Sequence, residues 1–361
     1  HSLEQLGGEY LKKYGEFMMP DQLTKLVADL EAKLFLEGDR LKQVQQQAFE
    51  AYRKLDVRPM AFAGKQYEAD PVKLREQIDG FYSSKEGPEK GKAECAGQVI
   101  KGLVAPNFDI KDAGSIYAWG YQELQEGQVP DVFVLIGTCH AGLEGGIAFT
   151  DKDFETPLGT VPVNREIIDA IRKEAGETFF AEDISHLREH SLELQLPFLQ
   201  HALGEGRNIS IVPILVDFPP DTLTGGEYQQ LFHRIDQFLT ITKRAIQASG
   251  QQVCVIGSAD LAHIGIRYGD QKPPTDFSFH RCMQIDLEML KKVEEVDPEG
   301  FAEFILREGN QRRILGFSVI FALMKLLQRD EEPLKGQVLR YDRGITDQFN
   351  STVTYASIAF V

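Results

Sequence analysis

The chain has 361 residues, of which 42% are hydrophobic and 26% are charged, and this balance is typical of a soluble globular protein. The same balance excludes an intrinsically disordered chain, a collagen and a coiled-coil fibre. The formal net charge of −16 argues against nucleic acid and anionic membrane surfaces as partners, because an acidic surface repels their phosphate groups.

The cysteines and the apolar runs predict the cellular location of the protein. Cys95, Cys139, Cys254 and Cys282 are scattered and form no C-x-x-C pair, which favours reduced thiols over a disulfide framework. No apolar run reaches the ~18 residues that a membrane-spanning helix needs. The first residues show no basic-then-apolar signal pattern. We therefore expect a cytoplasmic protein without a membrane partner.

Residues 1–56 are predicted to form a helical extension. Apolar residues recur at helical spacing from Leu23 to Leu30 behind Asp21, and a second helix is expected from about Asp39 to Leu55. The unit could be a plain helical or a winged-helix-like one. Winged helices often bind DNA, but the acidic charge argues against that role, so we favour a packing or partner-binding role. Residues 57–361 are assigned to the main domain.

After residue 57, short apolar runs alternate with helical stretches, which predicts an α/β domain with a central sheet. Strands are expected at Val99–Ala105, Val132–Ile136, Ile209–Leu215, Val253–Ile256 and Thr352–Phe360. The helices between them include Asn164–Ala175, Gly226–Gln247, Asp286–Val293 and Leu315–Leu327.

Polar side chains follow three of these strands, in the segments Ala105–Gly114, Gly137–Gly142 and Gly257–Gly265. Sites in open α/β sheets lie at the carboxyl ends of strands. A further polar segment, Asp183–Gln195, adds more histidine and glutamate. Imidazole with carboxylate can bind Zn, Fe or Cu, or serve as a general base. We expect one shared pocket formed by four histidines and an aspartate: His140, His186, His190, His263 and Asp260.

One short segment offers a separate hypothesis. His186-Leu-Arg-Glu189-His190 matches the H-x-x-E-H pattern of inverted zinc proteases. Histidines four apart on a helix share a face and could bind one metal, which would make the protein a metallohydrolase. The apolar run that follows, up to Leu199, resembles core and weighs against this alternative.

The sequence resembles the Memo family, in the bacterial form known as protein B of the AmmeMemoRadiSam system. The resemblance covers about residue 57 to the C-terminus, and its motifs occur in family order. They are Arg58-Pro-Met-Ala-Phe-Ala-Gly, Ala105-Pro-Asn-Phe-Asp, Gly137-Thr-Cys-His-Ala, Phe154-Glu-Thr-Pro-Leu-Gly, Glu189-His-Ser-Leu-Glu, Ile211-Val-Pro-Ile-Leu, Ala259-Asp-Leu-Ala-His-Ile-Gly and Arg312-Arg-Ile-Leu-Gly.

The resemblance implies a layered α/β/α fold with a mixed central sheet, similar to the class III extradiol (LigB-like) non-haem iron dioxygenases. It also implies a metal centre of two histidines and a cysteine. This chain has Asn107 at the first histidine position, keeps His140 at the second, and has Leu315 at the cysteine position. Asp260 and His263 match the family's D-x-x-H pair, where the dioxygenase relatives have their base histidine, so this pair is the candidate catalytic pair.

These substitutions favour a binding or accessory protein whose metal ligands are partly lost. It would bind a small molecule or a peptide and work with the radical-SAM protein and other proteins of that system. The alternative is a metal-dependent oxidoreductase or dioxygenase, and a second alternative is the metallohydrolase. The cofactor stays open between none and a weakly held Fe, Cu or Zn ion, and so does enzymatic activity. Asp109, Glu189 and His190 are expected to support the pocket walls.

Overall fold

A computed structural model describes residues 2–89, 91–204, 206–329 and 333–361 of the chain. Contacts between residues divide the chain into two units, His1–Leu55 and Asp56–Val361. Among the described residues, no helix is both long and apolar enough to cross a membrane.

The first unit consists of helices. They are α1 (Leu3–Tyr14), α2 (Pro20–Ala32) and α3 (Asp39–Arg53). Helix α1 begins at a capping box, in which the Ser2 hydroxyl accepts a hydrogen bond from the Gln5 amide, and it ends at Gly15 in the left-handed conformation. Residues 2–55 contain no strand, so they lack the β-hairpin that forms a wing. The winged-helix-like version of the prediction is therefore wrong for these residues.

The second unit alternates strands and helices. Its strands are β1 (Val57–Arg58), β2 (Gly102–Ala105), β3 (Val132–Thr138), β4 (Ile147–Phe149), β5 (Asp153–Phe154), β6 (Ser210–Val216), β7 (Val253–Ser258), β8 (His263–Ile264), β9 (Gly336–Ile345) and β10 (Thr352–Phe360). Its helices are α4 (Pro71–Tyr82), α5 (Ile110–Glu126), α6 (Arg165–Ala175), α7 (Gln195–Leu203), α8 (Gln229–Ser249), α9 (Asp276–Glu294), α10 (Pro298–Arg307) and α11 (Phe317–Leu327).

The main sheet has eight strands in the order β4-β6-β3-β7-β2-β10-β8, and β9 pairs with β10. Strands β6, β3, β7 and β2 run parallel, whereas β4 and β10 are antiparallel to their neighbours. Every residue of β3 is buried, as expected for a parallel strand covered on both faces. The predicted mixed sheet is therefore confirmed.

Helices cover both faces of this sheet. Successive strand residues point to opposite faces, and two neighbours on β2 show what lies on each side. A Cβ on Gly102 would lie 2.6 Å from Leu327 Cδ1 of α11. A Cβ on Gly120 of α5 would lie 2.7 Å from Cδ1 of Leu103, the next residue on β2. Helices α11 and α5 therefore lie on opposite faces, which confirms the layered α/β/α class.

All five predicted strands are present, although β2 begins at Gly102 rather than at Val99. The four predicted helices are also present, and α9 begins ten residues earlier than predicted, at Asp276. Strands β1, β4, β5, β8 and β9 and helices α5, α7 and α10 were not among those predicted. In β9 the polar and charged residues interrupt the apolar ones, and most of its residues are only partly buried, so it lacks the apolar run of a central strand.

Candidate functional site

The candidate site lies where three parallel strands end. Strands β2, β3 and β7 pair in parallel, so their carboxyl ends meet at one edge of the sheet. Asn107, His140 and Asp260 each follow one of these ends by two residues. The Asn107 backbone amide donates a hydrogen bond to Asp260 Oδ1 at 3.0 Å, and the side-chain Nδ2 of Asn107 lies 3.4 Å from His140 Nε2.

Glu189 joins two imidazoles behind this edge. Its Oε1 lies 3.0 Å from His140 Nδ1 and 3.1 Å from His190 Nδ1, and its Oε2 accepts the His140 backbone amide at 2.8 Å. The two rings stack with their centroids 4.5 Å apart. Because a carboxylate only accepts, the proton of a neutral His140 ring lies on Nδ1, and the Nε2 lone pair faces the Asn107 amide nitrogen.

Glu189 and His140 shift each other's pKa values within this cluster. Burial alone would raise the pKa of Glu189, but hydrogen bonds from His140 and His190 hold it well below its usual range. Burial alone would lower the pKa of His140, but the hydrogen bond and the charge of Glu189 raise it above 6.5 overall. The Glu189 side chain is 5% exposed, whereas that of His140 is 40% exposed. The His140 imidazole is therefore accessible to solvent, while the Glu189 carboxylate that accepts its hydrogen bond is buried.

Replacing Glu189 with glutamine is expected to lower the pKa of His140. The neutral amide removes the negative charge that raises this pKa, while the burial that lowers it remains. An NMR titration of the His140 ring resonances measures the shift. Glu303→Gln, at an exposed position of α10, serves as the control. A His140 pKa that is equal in both variants would contradict the assigned role of Glu189.

A buried arginine holds the segment that carries Glu189. Arg58 donates hydrogen bonds to the carbonyl oxygens of His186 (2.8 Å) and Glu189 (2.9 Å), and it forms an ion pair with Glu193. The Glu193 carboxylate also accepts the Tyr67 hydroxyl at 2.6 Å. Neither Arg58 nor Glu193 was among the predicted site residues, although Glu193 lies in the polar segment Asp183–Gln195. The available signal was a charged residue inside an apolar stretch, since Glu193 lies between Leu192 and Leu194.

Asp260 and His263 are both buried, but they do not form a pair. Burial raises the pKa of Asp260 to about 7, and the Asn107 amide partly opposes that effect. His263 Nδ1 lies 3.1 Å from the Leu261 carbonyl oxygen and 3.2 Å from that of Arg313, so it carries the ring proton. Burial lowers the pKa of His263 to about 4. In the described residues these two carbonyls, and not Asp260, orient the ring.

His186 lies outside the cluster. It is buried, its Nε2 is 3.2 Å from the Ala148 carbonyl oxygen, and burial lowers its pKa to about 3. Residues Asp183–Arg188 form a 3-10 helix, and His190 lies beyond its end. The prediction that His186 and His190 share a helix face is therefore wrong. The group that brings three ligand atoms within 4.8 Å in the described residues is His140, Glu189 and His190.

Two other predicted pocket residues have different surroundings. Asp109 caps α5, where its side chain accepts the Lys111 amide at 2.9 Å, so it has a structural role that explains its position. Leu315 is 50% exposed. The backbone amide of the next residue, Gly316, donates a hydrogen bond to the Asp260 carbonyl oxygen at 3.0 Å. Position 315 is therefore adjacent in the chain to a residue that contacts the site.

The residues present do not fit the metal set that the family pattern implies. Leu315 has no donor atom, and Asn107 offers a neutral amide in place of an imidazole. The alternative group does not replace them, because Glu189 Oε1 already accepts both imidazole Nδ1 atoms and the amides of His190 and Ser191. An ion that took Glu189 Oε1 as a ligand would have to displace these hydrogen-bond donors.

The sequence is similar to a family of known proteins. The model described as "Memo-like protein" matches residues 58–359. A MEMO1 family protein of Thermotoga maritima is 33% identical over 257 residues, which cover 70% of this chain and 82% of the relative. One of Aquifex aeolicus is 24% identical over 358 residues, covering 99% and 87%. One of Methanopyrus kandleri is 27% identical over 312 residues, covering 84% and 98%.

Proposed function

Because the chain belongs to the Memo family, we propose that it is a member with an incomplete metal set, which acts as a binding or accessory protein rather than as a dioxygenase. Its ligand would be a small molecule or a peptide bound at the sheet edge beside His140. A metal-dependent dioxygenase of the class III extradiol type is the rival function. The metallohydrolase has no support from the position of His186.

The observation that carries the proposal is the state of the Asn107 side chain. Its Nδ2 faces His140 Nε2, the atom left free by the Glu189 hydrogen bond. Its Oδ1 is buried and has no hydrogen-bond partner among the described residues. Buried polar atoms in folded proteins are nearly always hydrogen-bonded. A ligand that donates a hydrogen bond to Asn107 Oδ1, next to the accessible His140 ring, would satisfy this atom.

The same geometry disfavours firm metal binding. With Asn107 and Leu315 at two of the three implied positions, His140 is left as the single imidazole ligand of that set. Dioxygenase chemistry needs an iron held by several protein ligands with open positions for the substrates. The chain's own residues supply hydrogen bonds and charge at this edge, and they suit recognition better than metal-dependent oxidation.

Metal analysis tests this function. Protein purified without chelators is expected to contain iron, copper and zinc at far below one ion per chain. The double variant Asn107→His, Leu315→Cys restores an imidazole and a thiolate, which are strong transition-metal ligands, and it is expected to bind close to one ion per chain. The control is the double variant Asn107→Ala, Leu315→Ala, which changes the same positions without adding ligands.

Near-stoichiometric iron in the unmodified protein would refute the proposal and favour the dioxygenase. A tightly held zinc ion would also refute it, and loss of that zinc on replacing Glu189 or His190 would locate the ion.

The proposal includes a link to a radical-SAM system. It rests on the resemblance of motifs such as Arg312-Arg-Ile-Leu-Gly to protein B of the AmmeMemoRadiSam set. A direct binding measurement between the purified chain and the radical-SAM protein of that set is expected to show a complex. The absence of a complex at micromolar concentrations would remove this part of the proposal and leave the ligand-binding part unaffected.

A further inference from the structure

A second concave surface is lined by residues other than those of the His140 cluster. It is a cleft of about 1020 Å³ between α9, the end of α10 and the segment that follows β8. Neither His140 nor Glu189 lines it. The volume is at the upper end of the range for small-molecule sites. The cleft is therefore large enough for an organic ligand, and its lining contains no residue of the His140 cluster.

Three cationic side chains line this cleft without ionic partners. Lys272, Arg281 and Arg307 are exposed, and none of them forms an ion pair with a residue that the structure describes. Arg307 lies over the Phe304 ring, with 5.2 Å from its guanidinium carbon to the ring centroid. A cation that pairs with no carboxylate keeps its hydrogen-bond donors available for a ligand.

Two acidic residues line the cleft, and each forms an ion pair with an arginine. Asp270 pairs with Arg313 at 2.8 Å, and Glu308 pairs with Arg312 at 2.6 Å. Arg312 also pairs with the buried Asp286. The lining contains four cationic and two acidic side chains, a difference of +2, so the cleft is electropositive although the whole chain carries a net charge of −16. In an acidic protein such a local surplus of positive charge attracts anions to one place.

The cleft also offers apolar surface. Ile264, Ile285 and Leu306 contribute aliphatic side chains, and Pro273 and Pro274 form part of the wall. An inorganic anion would leave this surface unused. A ligand with an anionic head and a short aliphatic body would bury it and gain affinity with each methylene removed from water.

We propose that this cleft binds a phosphorylated small molecule with a short aliphatic body. The guanidinium of Arg281 supplies the planar pair of donors that phosphate oxygens accept, and Lys272 and Arg307 add charge around it. The aliphatic body lies against Ile264 and Ile285. The site depends neither on a metal nor on the residues around His140.

Isothermal titration with hexyl phosphate tests the proposal in the full chain. Hexyl phosphate is expected to bind, inorganic phosphate to bind more weakly, and hexanol not to bind. Arg281→Ala and Lys272→Ala are each expected to weaken hexyl phosphate binding by about tenfold, the usual loss for one charge-assisted hydrogen bond. Arg281→Lys should lose less than Arg281→Ala because the charge remains. Added salt should weaken binding further.

Lys291→Ala is the matched control, since Lys291 is exposed on the same helix α9 and does not line the cleft. It should leave the affinity unchanged. All these side chains are exposed, so we expect the variants to fold, and circular dichroism checks this. The proposal is overturned if hexyl phosphate does not bind. It is equally overturned if Arg281→Ala and Lys291→Ala bind it alike, because the phosphate would then bind elsewhere.

Discussion

Replacing Glu193 with alanine is expected to lower the free energy of unfolding by about 3–5 kcal/mol, the usual cost of removing one partner of a buried ion pair. Both side chains of the Arg58–Glu193 pair are fully buried. Without the carboxylate, the guanidinium would remain as an uncompensated charge in the interior. The Tyr67 hydroxyl and the Phe62 amide, which lie 2.6 and 2.8 Å from the carboxylate, would also lose their acceptor.

Urea unfolding followed by circular dichroism measures this change. The control is Glu89→Ala, which removes one partner of the Lys92–Glu89 pair, in which both side chains are about 70% exposed. Exposed pairs of this kind contribute little to stability, so the control should unfold close to the unmodified protein. Equal midpoints for Glu193→Ala and Glu89→Ala would show that the buried pair is not needed for stability.

The same ion pair connects stability to the candidate site. Arg58 donates to the carbonyl oxygens of His186 and Glu189, and Glu189 in turn accepts His140 Nδ1. Glu189, which sets the His140 tautomer, is therefore held in place by Arg58. The charge of Arg58 is in turn compensated by Glu193. Substitutions at Arg58 or Glu193 therefore affect His140 by moving Glu189, and they need no direct contact with His140.

The sequence predicted the edge of the sheet at which the candidate site lies. Apolar runs revealed β2, β3 and β7, and the carboxyl ends of parallel strands meet at one edge whatever the details of the loops. That rule alone brings Asn107, His140 and Asp260 together. It needs no knowledge of side-chain conformation, and for that reason it succeeds from sequence.

The roles of individual side chains could not be predicted in the same way. Arg58 and Glu193 are 135 residues apart, and no local pattern indicates that they pair. The position of Asp109 after a strand predicts a pocket residue, but helix α5 begins directly after it and its carboxylate caps that helix. The spacing of His186 and His190 suggested a helix, yet the chain there forms a 3-10 turn and then leaves it. Tertiary contacts decide each of these cases.

The stability of the protein is expected to depend on pH through His186, which is buried. Burial lowers the pKa of His186 from 6.5 to about 3. As the pH falls below 6.5, the unfolded chain takes up a proton at this position while the folded chain does not. The unfolded state then binds more protons, so this group lowers the stability on acidification by about 1.4 kcal/mol per pH unit. The stability it contributes is fully present above pH 6.5.

Other groups titrate in the same window, and some have the opposite sign. The pKa of Asp260 is raised to about 7, so its protonation stabilises the folded state as the pH falls. The contribution of His140, whose pKa is raised, is already complete below pH 6.5. The His186 effect must therefore be measured as a difference between two proteins, and not from one stability curve.

His186→Gln provides that difference, because an amide nitrogen can still donate to the Ala148 carbonyl but the side chain cannot take up a proton. We expect its stability relative to the unmodified protein to improve by about 2 kcal/mol between about pH 6.5 and pH 4.5. Urea unfolding at a series of pH values gives this quantity, with His233→Gln, at an exposed position of α8, as the control. Parallel curves for His186→Gln and the unmodified protein would mean that the folded state already accepts a proton on His186, in conflict with its burial beside the Ala148 carbonyl.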